Sequence, residues 1–216
     1  MDSFTRLGQY DLAVIGTTFT KWYFDGYLSS VTGRAFDVGG ATMSACHGIE
    51  RGKLKNGSEE SQGNGSIMRF APSYLIAQHE DDPQKVMHEI SDLTHSSKRV
   101  RETIDKFAAV LDAHLAGTRT TLGPGKELDR AEVNNSGWAV STLEAALWAF
   151  NTTNTFEDGM IAAVNLGGDS DSIGAVFGQL AGAFYGFDAI PERWVKAVKD
   201  WEKVEAMIER FLECVG

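Results

Sequence analysis

An all-α fold is predicted by three features of the sequence. Apolar residues recur three and four positions apart, residues that start and stop helices bracket those stretches, and no two alternating apolar runs are joined by a hairpin turn. The 216 residues are 43% hydrophobic, enough to bury a substantial core as one large domain or two small ones.

In chain order, Leu12, Ile15, Phe19 and Trp22 form the first helical stripe. Asp82 followed by Pro83 is a helix start, because the carboxylate accepts from free N–H groups and proline suits the first turn; Val86, Met87, Ile90 and Leu93 are its buried face. Val100, Ile104, Phe107, Leu111 and Leu115 follow, with Ser96 and Ser97 as candidate caps and Gly117 as the stop. Leu143, Ala146, Leu147 and Phe150 make a further helix. Pro191 opens a C-terminal pair carrying Trp194, Val198, Val204, Ile208, Phe211 and Leu212. Long loops are expected at roughly 30–42, 54–66 and 117–136, the last two rich in Gly, Asn and charge. No internal repeat is visible.

Between these helices lies NLGGDSDSIGAVFGQLAGAFYG, residues Asn165 to Gly186. Gly174, Gly178, Gly182 and Gly186 fall four apart and line one side of a helix with hydrogen atoms, which predicts close approach by other helices. Each glycine costs a helix on the order of 1 kcal/mol relative to alanine, so such a helix is expected to be central and tightly surrounded. Asp169 and Asp171 stand at its start. One carboxylate there caps backbone N–H groups and meets the positive end of the helix dipole. Two carboxylates one residue apart, with the hydroxyls of Ser170 and Ser172, exceed what a cap requires and offer the hard oxygen donors that suit Mg²⁺ or Mn²⁺. Capping and metal binding both stand as readings of the sequence.

The formal charge is −10, from 30 acidic and 20 basic residues, which disfavours direct binding to nucleic acid and to anionic membranes. A basic partner is compatible with it, as is a plain solvated surface. Cys46 and Cys214 form neither a disulfide framework nor a zinc pattern. No basic-then-apolar leader opens the sequence and no apolar run reaches about 18 residues, so a cytosolic location is expected.

The stretch Asn165-Leu166-Gly167-Gly168-Asp169-Ser170-Asp171-Ser172 resembles the GGD-T-D-T signature of the ADP-ribosylglycohydrolases, enzymes that remove ADP-ribose from modified macromolecules with a pair of magnesium ions. Gly63 to Arg69, GNGSIMR, resembles the family's GNGS-x-MR loop. Ser136-Gly137-Trp138 through Phe150 resembles its SGY…LEAALWAF helix. Phe36-Asp37-Val38-Gly39 is similar to a DIG element that precedes another helix, and Leu93-Thr94-His95 to a T-H step of the family. The matches run in order along most of the chain. They imply one family domain over residues 1–216, folded as a compact orthogonal bundle of helices.

The resemblance also implies roles. Asp169, Asp171 and Ser172 are the expected metal ligands, and Asp37 is expected to orient a ribose or act as a base; an Asp before Val-Gly-Gly is otherwise a loop cap. Asn64, Gly65 and Ser66 offer donors in a flexible segment suited to a diphosphate, with a turn as the alternative, and Gly167-Gly168 permits close backbone approach to a ligand. His95 is a candidate contact to a ribose hydroxyl or a structural histidine. Trp138 is a candidate adenine stacker or a core residue.

Two family elements have no counterpart here: a G-D-A-x-G helix and a T-D-D-T motif whose carboxylates supply the other half of the metal cradle. Residues Met1 to Tyr10 correspond to sequence that follows T-D-D-T in the family. The expectation is therefore a shortened, catalytically impaired member that holds Mg²⁺ weakly or not at all and acts as a binding or inhibitory module on a macromolecular partner, of the kind a mobile element encodes. An active Mg²⁺-dependent ADP-ribosyl hydrolase is the alternative.

Overall fold

In chain order the helices are α1 (Asp2–Leu7), α2 (Leu12–Asp25), α3 (Gly40–Glu50), α4 (Phe70–Ala77), α5 (Pro83–Asp92), α6 (Lys98–Leu115), α7 (Ala139–Thr152), α8 (Phe156–Val164), α9 (Ser170–Tyr185), α10 (Glu192–Val195) and α11 (Trp201–Val215). They come from a computed structural model that describes residues 1–30 and 33–216. Among the described residues there is no named strand, and the fold is all-α. Part of the loop expected at 30–42, Val31 and Thr32, lies outside the described residues.

The chain divides into two compact units, each discontinuous in sequence: Met1–Ser61, Ala71–Ser97 and Lys196–Gly216 form the first, Gln62–Phe70 and Lys98–Val195 the second. In the first unit the Asp11 carboxylate caps α2 by accepting from Val14 N at 3.0 Å, and Asp82 caps α5 by accepting from Lys85 N at 3.0 Å. Helix α2 packs on α3 and α5, and α1 on α11. The buried Asn56 ties the loop after α3 to the end of α5, donating from Nδ2 to Lys53 O and Leu93 O while its backbone N–H donates to Asp92 O. Helix α11 is the least embedded long helix here: Phe211 is 2% exposed against Phe4, whereas Leu212 is 50% exposed and Val204 is also exposed. Of the apolar stripe expected along 194–212, Trp194 lies in α10 and Val204, Ile208, Phe211 and Leu212 in α11, but Val198 falls in the turn between the two helices; only Phe211 is fully buried.

In the second unit α9 is central, packing against α6, α7, α8 and the 3₁₀ turn Asn64–Arg69. Ile173, Val176, Phe177, Leu180 and Ala181 are buried along it. The glycine stripe differs from its expectation along its length. A β-carbon at Gly174 would meet Val164 at 3.2 Å, one at Gly178 would meet only the flexible end of Met160 at 3.5 Å, and one at Gly182 would meet nothing within 4 Å. Gly186 caps the helix with φ 78° and is not part of its face. Close approach is instead concentrated on α8, where a β-carbon at Gly159 would lie 2.3 Å from the Phe177 ring.

The long segment between α6 and α7 is fastened by side chains bonding to backbone. Arg119 donates to Phe150 O, Thr153 O and the Tyr185 hydroxyl, with its guanidinium 4.3 Å from the Phe150 ring centroid. Asn151 Nδ2 donates to Leu122 O and Pro124 O, and Trp148 Nε1 to Leu128 O. His114 donates from Nδ1 to Leu180 O at 2.7 Å beside Phe150 and Phe184, and burial pushes its pKa below the ordinary histidine value. Together these bonds deliver residues 134–138 to the start of α9.

Candidate functional site

Three loops meet at the N-terminus of α9, and all of them belong to the second unit. The first is Gln62–Asn64, which pairs with Gly137–Ala139 through Asn64 N to Gly137 O at 3.0 Å and Ala139 N to Gln62 O at 2.9 Å. The second is Asn134–Trp138, which holds the third: Asp169 N donates to Asn135 O at 3.0 Å, and Asn135 Nδ2 donates to Leu166 O at 2.8 Å. Gly168 makes that approach possible. Its φ is +59° and a β-carbon there would fall 2.4 Å from Asn135 O.

Asp169 is the N-cap residue of α9 but makes no side-chain capping bond. Its Oδ2 accepts instead from Asn64 Nδ2 at 2.7 Å, and a β-carbon at Gly137 would lie 2.7 Å from the same oxygen. Of the two readings of this aspartate, capping is therefore not what the carboxylate does. Asp171, in the first turn of α9, is exposed. Ser172 is buried, and its hydroxyl is directed at the Met68 sulfur, 3.7 Å away. Gln179 secures the same turn from further along α9, donating to Ile67 O and Met68 O.

The Asn64-Gly65-Ser66 segment opens a 3₁₀ turn, not a flexible loop. Asn64 is buried, and one Nδ2 serves both Asp169 and the Thr142 hydroxyl, so its amide donors are committed within the protein. Gly65 O accepts from Arg69 Nη1. Ser66 Oγ and Ser136 Oγ are buried without a hydrogen-bond partner among the described residues, the condition a polar ligand relieves. Trp138 is 53% exposed, which excludes the core reading. It lines a cleft of about 550 Å³ with Gln62, Arg99, Asn134, Ser136 and Ser141.

Nine of the eleven expected site residues thus share the second unit: Asn64, Gly65, Ser66, Trp138, Gly167, Gly168, Asp169, Asp171 and Ser172. Asp37 and His95 belong to the first. Asp37 is exposed with φ 50°, two residues before the start of α3 proper at the Gly39 cap. His95 is 3% exposed, with Nδ1 2.8 Å from the Thr94 hydroxyl. Asn135, Gly137 and Thr142 were not singled out in the sequence. Gly137 is visible there only as part of Ser-Gly-Trp, and Thr142 carries no signal apart from its place near the start of a helix.

The donor set suits a hard divalent cation in part. Asp169 and Asp171 present carboxylates one residue apart, and magnesium commonly takes one or two carboxylates and completes its shell with water. Among the described residues no group of three His, Cys, Asp or Glu side chains gathers around one point.

The second unit of this all-α fold thus holds two aspartates at the start of a central helix, a close approach of Gly168 to Asn135, and a cleft lined by an exposed indole. Residues 1–215 match the ADP-ribosylglycohydrolase family, and the chain belongs to that family. It is 33% identical over 98% of its length to the ADP-ribosylarginine hydrolase Tri1 of Pseudomonas putida (strain GB-1), and 28% identical over 99% of its length to the ADP-ribosyl-[dinitrogen reductase] glycohydrolase of Rhodospirillum rubrum. These matches cover 63% and 74% of the two relatives, so the chain spans under two thirds of the first. A solved structure described as an ADP-ribosylglycohydrolase-related protein complex superposes with a TM-score of 0.77 at 32% identity, covering 100% of this chain and 78% of that one. Among the described residues no helix is long and apolar enough to cross a membrane.

Proposed function

We propose that this chain recognises ADP-ribose attached to a macromolecule and takes part in its hydrolytic removal, with ADP-ribosylated arginine as the first substrate to test. The observation that carries this reading is the Asp169 carboxylate, which is withheld from capping and held by Asn64 close to Gly137, the residue between Ser136 and Trp138 of the cleft. In this reading the indole of Trp138 stacks on adenine, the buried hydroxyls of Ser66 and Ser136 accept polar partners, and Gly167-Gly168 lets backbone approach the ligand. Asp169 and Asp171 are the residues that would hold Mg²⁺, which when bound supplies electrophilic help to ribose hydroxyls and orients water. The relative from Pseudomonas putida supports arginine as the modified residue by its similarity.

A second reading is a binding or inhibitory module that engages an ADP-ribosylated or basic protein partner without turnover. It is favoured by the described donor set, in which only two carboxylates, Asp169 and Asp171, stand near one another at the family motif. A magnesium ion held by so few ligands binds weakly, and each 1.4 kcal/mol of lost transition-state stabilisation is about tenfold in rate. The two readings separate in one experiment. The chain is incubated with an ADP-ribosylarginine peptide and Mg²⁺ while both peptide binding and free ADP-ribose are followed, beside a variant carrying Asp169→Asn and Asp171→Asn. Release that the double variant abolishes, with the fold retained, supports the hydrolase. Binding without release that survives in the variant supports the module, and neither binding nor release rejects both.

A further inference from the structure

We infer that Thr142 is a positioning residue for Asp169, acting through the side-chain amide of Asn64. The inference rests on the reading of Asp169 as a functional carboxylate, but its geometry stands apart from any ligand. Thr142 lies in the first turn of α7, fully buried, and its hydroxyl donates to Ser136 O at 3.3 Å. A hydroxyl has one proton. With that proton directed to a carbonyl, the oxygen faces Asn64 as an acceptor, and Asn64 Nδ2 donates to it at 2.9 Å. This fixes which way round the amide sits: the NH₂ end, not the oxygen, is turned toward Asp169, and it donates to Oδ2 at 2.7 Å.

The amide has two protons, one for Thr142 and one for Asp169, so the relay is saturated and leaves neither donor unpaired. The Asn64 backbone is pinned independently through its N–H to Gly137 O, which keeps the side chain from drifting. The consequence for Asp169 is a chosen rotamer. A free aspartate at a helix N-terminus would fold back to accept from the backbone of the next turn; here a neutral donor holds one oxygen away from that position and the other keeps its lone pairs. Asn64 adds no charge, so the carboxylate keeps its full attraction for a cation. Outer hydrogen bonds of this type orient metal ligands, and removing them typically lowers metal affinity about 10–100-fold.

The test uses the full chain and the variants Thr142→Val, Thr142→Ser, Asn64→Ala and the pair Thr142→Val with Asn64→Ala. In metal-free protein the Asn64 side-chain amide is followed by NMR; Thr142→Val is expected to move its resonances and speed their exchange, and Thr142→Ser to retain them. An amide unchanged in a folded Thr142→Val protein overturns the relay. Calorimetric titration with Mn²⁺ then reads its purpose. Thr142→Val is expected to weaken affinity about tenfold, Thr142→Ser to restore it, and Thr142→Val to add nothing once Asn64 is alanine. Additive losses from the two substitutions would mean that Thr142 does not act through Asn64, and would overturn the inference. A parent chain that binds no Mn²⁺ while the amide still responds to Thr142→Val would sink the metal reading of Asp169 and leave the relay in place. Should Thr142→Val fail to fold, Thr142→Ala carries the same decision, because it too removes the hydroxyl that accepts from Asn64 while leaving the amide donor to Asp169.

Discussion

Helices α9 and α11 are nearly equal in length, 16 and 15 residues, and solve the problem of being a helix in opposite ways. Helix α11 separates its charged and apolar residues sharply, yet only Phe211 is fully buried and Leu212 stays half exposed. Helix α9 has few large side chains and four helix-weakening glycines in its neighbourhood, yet five of its apolar residues are buried and other helices of its unit surround it. In α11, sharp amphipathicity goes with contact to its unit along a single line. In α9, small residues go with enclosure, and an enclosed helix can hold a carboxylate at its tip in a fixed place.

The largest expected effect tests that enclosure. Phe177→Ala removes a ring with no exposed surface from the middle of α9 and should lower stability by about 4 kcal/mol, whereas Phe211→Ala should loosen α11 with little change elsewhere. Hydrogen exchange resolved along the chain separates the two outcomes; uniform destabilisation by Phe211→Ala would erase the contrast. Next in size is Gly159→Ala. Alanine is the better helix former, but its methyl group would meet the Phe177 ring at 2.3 Å and Thr153 Oγ1 at 2.8 Å, so a net loss of about 2 kcal/mol is expected in a denaturant titration. A gain would mean that α8 and α9 have room to spare. The smallest effect has the opposite sign. Gly182→Ala faces open space and should raise stability by about 0.5–1 kcal/mol in the same titration; a loss would put a neighbour where none is found.

Legibility in the sequence followed the same division. The Asp82-Pro83 start of α5, the long stripe of α6 and the start of α9 are local signals, and the structure has a helix at each of them. Helices α3, α4 and α8 gave no stripe. GATMSACHGI is built of small residues, FAPSYLIA is apolar all round, and Gly159 interrupts α8, so none alternates in a way that a period can catch. At the site, the paired aspartates and glycines were visible because they are adjacent. The meeting of Asn64 with Asp169, and of both with Thr142 and Gly137, was not, since it depends on how the 117–136 segment is fastened by Arg119, Trp148 and Asn151. Those bonds run from side chains to backbone carbonyls and leave no mark in composition or spacing.

The edge-to-face contact of Phe4 with Phe211 joins residues at nearly opposite ends of the sequence, and α1 packs on α11 around it. During synthesis the second unit has all of its segments once residue 195 has emerged, and its nucleus can form from α6 to α9, neighbours in sequence. The first unit must wait. Helix α1 can pack on α2 early, but the Phe4–Phe211 contact closes only after α11 has been made, so this unit depends on pairing across more of the sequence than the second unit does.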